Sequence, residues 1–193
     1  MPAPRRNSDR GDRRRQQVID AALDEIRAQP VADVQLAAIA ARAGLGASHA
    51  LYYFGSRDGV LVAAVAHAEQ RLAAGRSERL QAIGDPTERL AAFVEAYLPD
   101  DRHDPVWKLW FEGWLRSTSR SEFGDVGVKA DQRWMEDLVG CLEHLTATGG
   151  TLPEPAAAYA RRFLFFLDGL AVHILADHIT AGEAKDHAMA VLP

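Results

Sequence analysis

Leu36-Ala37-Ala38-Ile39-Ala40-Ala41-Arg42-Ala43-Gly44-Leu45-Gly46-Ala47-Ser48-His49-Ala50-Leu51-Tyr52-Tyr53-Phe54-Gly55-Ser56-Arg57-Asp58-Gly59-Val60-Leu61 is the stretch that decides the fold. Leu36, Ile39 and Ala40 stand at helical spacing, and Gly44 follows where a left-handed residue ends a helix. Beyond Gly44-Leu45-Gly46 the pattern predicts a second short helix over 47–54. Two short helices joined by a glycine-containing turn are the elements of a helix-turn-helix, provided another helix packs behind them. Leu51 and Phe54 are expected to face inward. Ser48, His49, Tyr52 and Tyr53 then offer hydroxyls and an imidazole outward, suited to base edges in a major groove.

The supporting helix lies just upstream. Val18, Ile19, Ala22, Leu23 and Ile26 predict an amphipathic helix from about residue 13 to 29, stopped by Pro30. Downstream, Ser56 is placed to cap a fourth helix, with Asp58 in its first turn. Val60, Leu61, Ala64, Val65, Ala68, Leu72 and Leu80 extend that helix to about residue 83, which makes it the connector to the rest of the chain. Further helices are expected over 86–98, 105–119, 128–146 and 155–179, with a short one from Gly182. No strictly alternating segment predicts a strand. The expected fold is all-α, with about nine helices. It divides into a basic, disordered arm (1–12), a helix-turn-helix unit (13–58) and a helical effector-binding and dimerisation unit (59–193).

Charge supports this division. The chain of 193 residues carries a formal net charge of −5, but residues 1–60 hold nine Arg against seven acids while residues 61–193 hold thirteen basic and twenty acidic side chains. The positive end is the one expected to meet phosphate. No apolar run has the roughly 20 residues needed to span a membrane, and the charged N-terminus has no apolar segment of the secretory kind behind it, so a cytoplasmic location is expected. Cys141 is the only cysteine. It permits neither an internal disulfide nor a cysteine-based zinc site, and is expected to be buried.

The quoted stretch resembles the DNA-binding domain of the TetR family of one-component regulators, through Ile39-Ala40, Ala43-Gly44 and Tyr53-Phe54-Gly55-Ser56. Tyr53-Phe54-x-x-x-x-Gly59-x-Leu61, together with Phe166-Leu167-Asp168-Gly169-Leu170-Ala171, is closest to its BetI-like branch. The resemblance implies double-stranded operator DNA, a small-molecule effector and a second copy of the chain as partners. It implies that Ala47, Ser48 and His49 face bases, that Tyr52 and Tyr53 touch phosphates or thymine methyls, and that Arg57 meets a phosphate. The sequence departs from the family in Gln35 and Gly46, where Thr and Ser usually cap helices two and three, and in Leu51, where a polar or aromatic residue is common.

A second site is expected farther on. Trp107, Trp110, Phe111 and Trp114 recur at i, i+3, i+4 and i+7, and Trp134 follows on the next helix. Such a stripe serves either as core or as the lining of an apolar, aromatic ligand pocket. The resemblance implies the pocket, with Glu112, Arg116 and His173 as candidate polar groups. It also implies a dimer interface on the last two long helices, around Phe163, Phe166, Leu170 and Ile174. No cofactor, metal or catalytic constellation is expected. There is no Gly-rich phosphate loop, Gly-x-Ser-x-Gly or His-Glu-x-x-His, and His173 with Asp177 is the only notable pair. The favoured reading is a ligand-released repressor. The alternatives are a helical interaction module or a small enzyme on a helical scaffold.

Overall fold

A computed structural model describes residues 5–117 and 121–192, with side chains over 10–115 and 125–192. The described residues form ten α-helices and no strand. These are α1 (Arg5–Ala28), α2 (Leu36–Arg42), α3 (Ala47–Phe54), α4 (Arg57–Ala73), α5 (Arg76–Ala82), α6 (Pro86–Tyr97), α7 (Pro105–Ser117), α8 (Ser121–Ala147), α9 (Ala156–Leu175) and α10 (Ala181–Ala190). A 3-10 turn, Val31–Asp33, links α1 to α2. No helix among the described residues is long and apolar enough to cross a membrane.

α1 opens at Arg5, upstream of the apolar spacing, so 5–12 form its first turns; residues 1–4 of the expected arm lie outside the described residues. The long fourth helix of the sequence reading is in fact two helices. The chain turns at Ala74 and Gly75 (φ +73°), and α5 starts afresh. Apolar spacing continues across the turn, which is why periodicity alone misses it. Arg76 fixes the new direction: its Nε lies 2.6 Å from Asp137 on α8, and its guanidinium stacks 3.4 Å from the Trp134 ring centroid. Ser77 donates to the same carboxylate.

Two cores result. The first joins Val18, Ala22 and Ile26 of α1, Ile39 and Ala40 of α2, Ala50 of α3, and Val60, Leu61, Ala64 and Val65 of α4. The second joins Leu90, Phe93 and Val94 of α6, Leu138 and Leu142 of α8, Phe163, Leu167 and Ala171 of α9, and Ala184 and Ala188 of α10. Cys141 is buried in the second, as expected, and burial pushes its thiol up to about 11.

Helix α7 runs between the cores. Leu109 is fully buried in the first core, Trp107 belongs to the second, and Trp110 packs on both. Lys108, between them, reaches the end of α1 and donates to the Ile26 carbonyl at 2.9 Å and the Arg27 carbonyl at 3.3 Å. The C-terminus of a helix presents unpaired carbonyls and the negative end of its dipole, which an ammonium group satisfies. The two units are thus joined by α7 as well as by α4.

Candidate DNA-reading surface and ligand chamber

The turn chemistry of the helix-turn-helix follows the sequence. Gly44 has φ +68°, and Ser56 Oγ accepts from the Gly59 amide at 2.9 Å, capping α4. Gln35 and Gly46 make no side-chain cap bond, consistent with their departures from the family pattern. Gly59 has a steric reason to lack a side chain: a Cβ there would overlap the Phe54 carbonyl oxygen. This close approach sets α4 against the end of α3.

On α3 the structure turns Ala50 inward and leaves Ala47, Ser48, His49 and Tyr52 exposed, Tyr52 to 82%. Tyr53 is half-buried and packs edge-on against Tyr52 at 5.3 Å. Leu51 corrects the sequence reading: it is 45% exposed, because the short helix has room for one inward residue per turn and Ala50 takes it. Leu51 therefore joins the outer face. Arg15 of α1 lies 4.7 Å above the Phe54 ring and donates to the Tyr53 carbonyl at 3.4 Å, bracing the end of α3.

The Arg57 guanidinium is turned inward. It donates to the Val34 carbonyl at 2.6 Å and to the Val31 carbonyl, and pairs with Asp58 at 3.2 Å. It ties the start of α4 to the 3-10 turn, a bracing role that the sequence does not suggest.

The four tryptophans come together. Trp107, Trp110, Trp114 and Trp134 line one chamber of about 240 Å³ with Tyr97, Glu69, Asp104 and Asp131. Its rings stand edge to face, as ring quadrupoles prefer: Tyr97 against Trp134 at 4.9 Å, Tyr97 against Trp107 at 5.6 Å, and Trp107 against Trp114 at 6.1 Å. Hydrogen bonds lock them. Trp107 Nε1 donates to the Tyr97 carbonyl at 2.9 Å, Trp110 Nε1 to Glu69 at 2.6 Å, and Tyr97 Oη to Asp168 at 2.7 Å.

The chamber is acidic. Glu69, Glu95, Asp100, Asp104 and Asp131 line it, with no lysine or arginine among the lining residues. Glu95 is held by Lys185 at 2.6 Å, and Asp104 accepts from the amides of Val106 and Trp107, capping α7. Of the other three, Asp100 sits beyond the end of α6, while Glu69 on α4 and Asp131 on α8 stand among the indoles. Desolvation raises the pKa of both; for Glu69 the bonds from Trp110 and Trp134 and the charge of Arg76 oppose the shift.

Three expected ligand residues stand elsewhere. Phe111 and Glu112 line an open groove between α1, the 3-10 turn and α9. His173 lies at the end of α9, its Nδ1 3.1 Å from that of His178, while Asp177 pairs with Arg102 at 2.9 Å, so His173 and Asp177 do not form the pair read from sequence. The Arg116 side chain lies outside those described. Sequence reasoning missed Glu69, Tyr97, Asp104 and Asp131. Glu69 left a faint signal: a carboxylate within the apolar stripe of α4, beside Ala68.

The expected dimer residues also divide. Phe163, Leu170 and Ile174 are buried in the monomer's own second core, because α9 is apolar nearly all round and its most apolar stripe faces α8. Phe166 is 38% exposed and Phe165 is 65% exposed.

Comparison with known proteins matches both units. Residues 18–64 match the family described as bacterial regulatory proteins, tetR family, and residues 86–193 match the BetI-type transcriptional repressor C-terminal family. The chain is 31% identical over 160 residues to the HTH-type transcriptional regulator BetI of Stenotrophomonas maltophilia, covering 81% of this chain and 79% of that one. It is 38% identical over 106 residues to the protein of the same name from Burkholderia ambifaria, covering 54% and 55%. A crystal structure from Saccharomonospora viridis, in complex with choline, shares the fold with a TM-score of 0.81 at 22% identity, over 90% of this chain and 92% of that one.

Proposed function

Since the chain belongs to the TetR family of DNA-binding transcription regulators and carries that family's BetI-type C-terminal domain, we propose that it is a dimeric repressor released from its operator by a small organic cation. The observation that carries the effector class is the tryptophan chamber. Four indoles and a phenol surround a space faced by Glu69 and Asp131 and lined by no basic side chain. Aromatic faces attract a cation through the ring quadrupole, most strongly where water is excluded, and a box of such rings suits a quaternary ammonium. The bound choline of the Saccharomonospora viridis protein, which shares the fold, supports this choice of class. The sequence suggests a small apolar or aromatic-friendly molecule; the carboxylates narrow that reading to a cation.

On this reading, two copies meet through the outer face of α9, around Phe166, and through α10. Their α3 helices then stand about 34–36 Å apart and read successive major grooves of a near-palindromic site. Ala47, Ser48, His49, Leu51 and Tyr52 form the reading face, flanked by Tyr53. The cation shifts a population: it binds better to the arrangement that separates the two α3 helices wrongly for DNA. Transmission runs through α4, which carries Glu69, and through α7, where Trp107 and Trp110 border the chamber while Lys108 and Leu109 grip the DNA-binding unit.

The test is a titration with choline, reading tryptophan fluorescence for binding and gel shift for release from DNA taken just upstream of the gene. Saturable fluorescence change with parallel loss of the shifted band is expected. DNA binding that stays constant at saturating choline would sink the proposal.

A further inference from the structure

We propose that the effector carries a negative group as well as a cation, and that Arg161 binds that group; this rests on the reading of the tryptophan chamber as a cation site. The chamber does not end at its tryptophans. Tyr97, Trp114, Asp131 and Trp134 also form one wall of a second, adjoining chamber of about 480 Å³. Its far side is a single stripe of α9, Arg161, Leu164, Phe165 and Asp168, at i, i+3, i+4 and i+7.

The charges of this second space are unequally committed. Asp168 accepts the Tyr97 hydroxyl at 2.7 Å, and desolvation holds its pKa up, toward the neutral form. Gln132 is bonded to Glu136 at 2.9 Å. Asp131 opens onto both chambers and belongs equally to the cation's surroundings. Arg161 has no hydrogen bond, ion pair or ring contact among the described residues, whereas its neighbour Arg162 is paired with Glu154. Two adjoining chambers that share Tyr97, Trp114, Asp131 and Trp134 therefore carry an aromatic box on one side and an uncommitted guanidinium on the other. A guanidinium fork binds carboxylate or phosphate oxygens two at a time. The complementary molecule is a compact zwitterion: a quaternary ammonium joined by a short linker to a carboxylate or phosphate.

Tryptophan fluorescence and calorimetry on the full chain decide the matter, with choline, carnitine and phosphocholine as probes. Arg161→Gln is compared with Arg162→Gln, which loses the same charge one residue away. At least one zwitterion is expected to bind wild type five-fold or more tightly than choline. Carnitine winning indicates a carboxylate ligand, and phosphocholine winning a phosphate. Arg161→Gln should bring that zwitterion within two-fold of choline while leaving choline itself unchanged, and Arg162→Gln should alter neither. Choline binding as tightly as both zwitterions, or a preference that survives Arg161→Gln, overturns the proposal while the cation reading stands. No binding of any of the three overturns both.

Discussion

Residues 36–61 build their unit from neighbours in sequence: Gly44 turns the chain, Ser56 caps the next helix, and Gly59 lets α4 close on Phe54. The chamber is assembled the other way. Glu69 comes from α4, Tyr97 from α6, Trp107, Trp110 and Trp114 from α7, and Asp131 and Trp134 from α8. A surface shaped by local turn chemistry has its turns set within the stretch itself, with α1 packed behind it. A cavity assembled from four helices changes when any of them moves, which suits a sensor. On the proposed function, the DNA-binding unit is the reader and the second unit the sensor. Lys108 and Leu109 join them.

The reader's outer face gives the largest expected effect. His49→Ala with Tyr52→Ala removes two exposed side chains that lie outside both cores. At about 1–3 kcal/mol for each good groove contact, operator affinity should fall at least about 30-fold. The thermal midpoint should stay where it is, by calorimetry; a large fall in it would place these residues in the fold instead of at the DNA. Gly59→Ala attacks the same unit from within. Overlap with the Phe54 carbonyl oxygen should cost about 1–3 kcal/mol in denaturant unfolding and weaken DNA binding with it.

Lys108→Met tests the joint. The variant keeps most of the stem and loses the ammonium that holds the Ile26 and Arg27 carbonyls, at a cost of about 1 kcal/mol. Hydrogen exchange over residues 29–34 should quicken, and Lys108→Arg should restore much of the protection. Unchanged exchange would mean that the apolar packing of Leu109, and not the ammonium group, carries the α7 joint.

The smallest effect is on the sensor side and depends on pH. Burial raises Glu69, Asp104 and Asp131 above their ordinary range near pH 4. These carboxylates therefore keep protons in the empty protein at pH values where free ones have lost them. Their stabilising protonated state is present at low pH and lost as pH rises through the raised values. A bound cation favours the ionised form, so it expels protons, and its affinity rises with pH across that window before levelling. As pH rises from the ordinary carboxylate range toward neutrality, choline should bind a few-fold more tightly. A flat profile would mean that neither Glu69 nor Asp131 faces the cation.

The same contrast explains what the sequence reveals. The helix-turn-helix is legible because each of its breaks is announced by Gly, Ser or Pro, and α3 runs over the residues its pattern predicts. Leu51 and Arg57 escape, since periodicity over eight residues cannot choose between Ala50 and Leu51, and an arginine's partners lie outside its own helix. In the second unit the tryptophan stripe is legible, but its acidic company is not: Asp131 and Asp104 look like surface residues until α6, α7 and α8 cross. The dimer face misleads for a related reason. Phe163, Leu170 and Ile174 form the most apolar stripe of α9, and a monomer with enough helices buries that stripe itself.

The most direct measurement follows choline in one experiment on wild type and Glu69→Gln, with tryptophan fluorescence reporting occupancy and anisotropy of labelled operator DNA reporting release. The account predicts that wild type releases DNA over the same concentrations that change its fluorescence. In Glu69→Gln, both curves should move together to roughly ten-fold higher choline, as expected for one charge lost beside a desolvated cation. Glu69→Gln that binds choline and releases DNA as wild type does would contradict it.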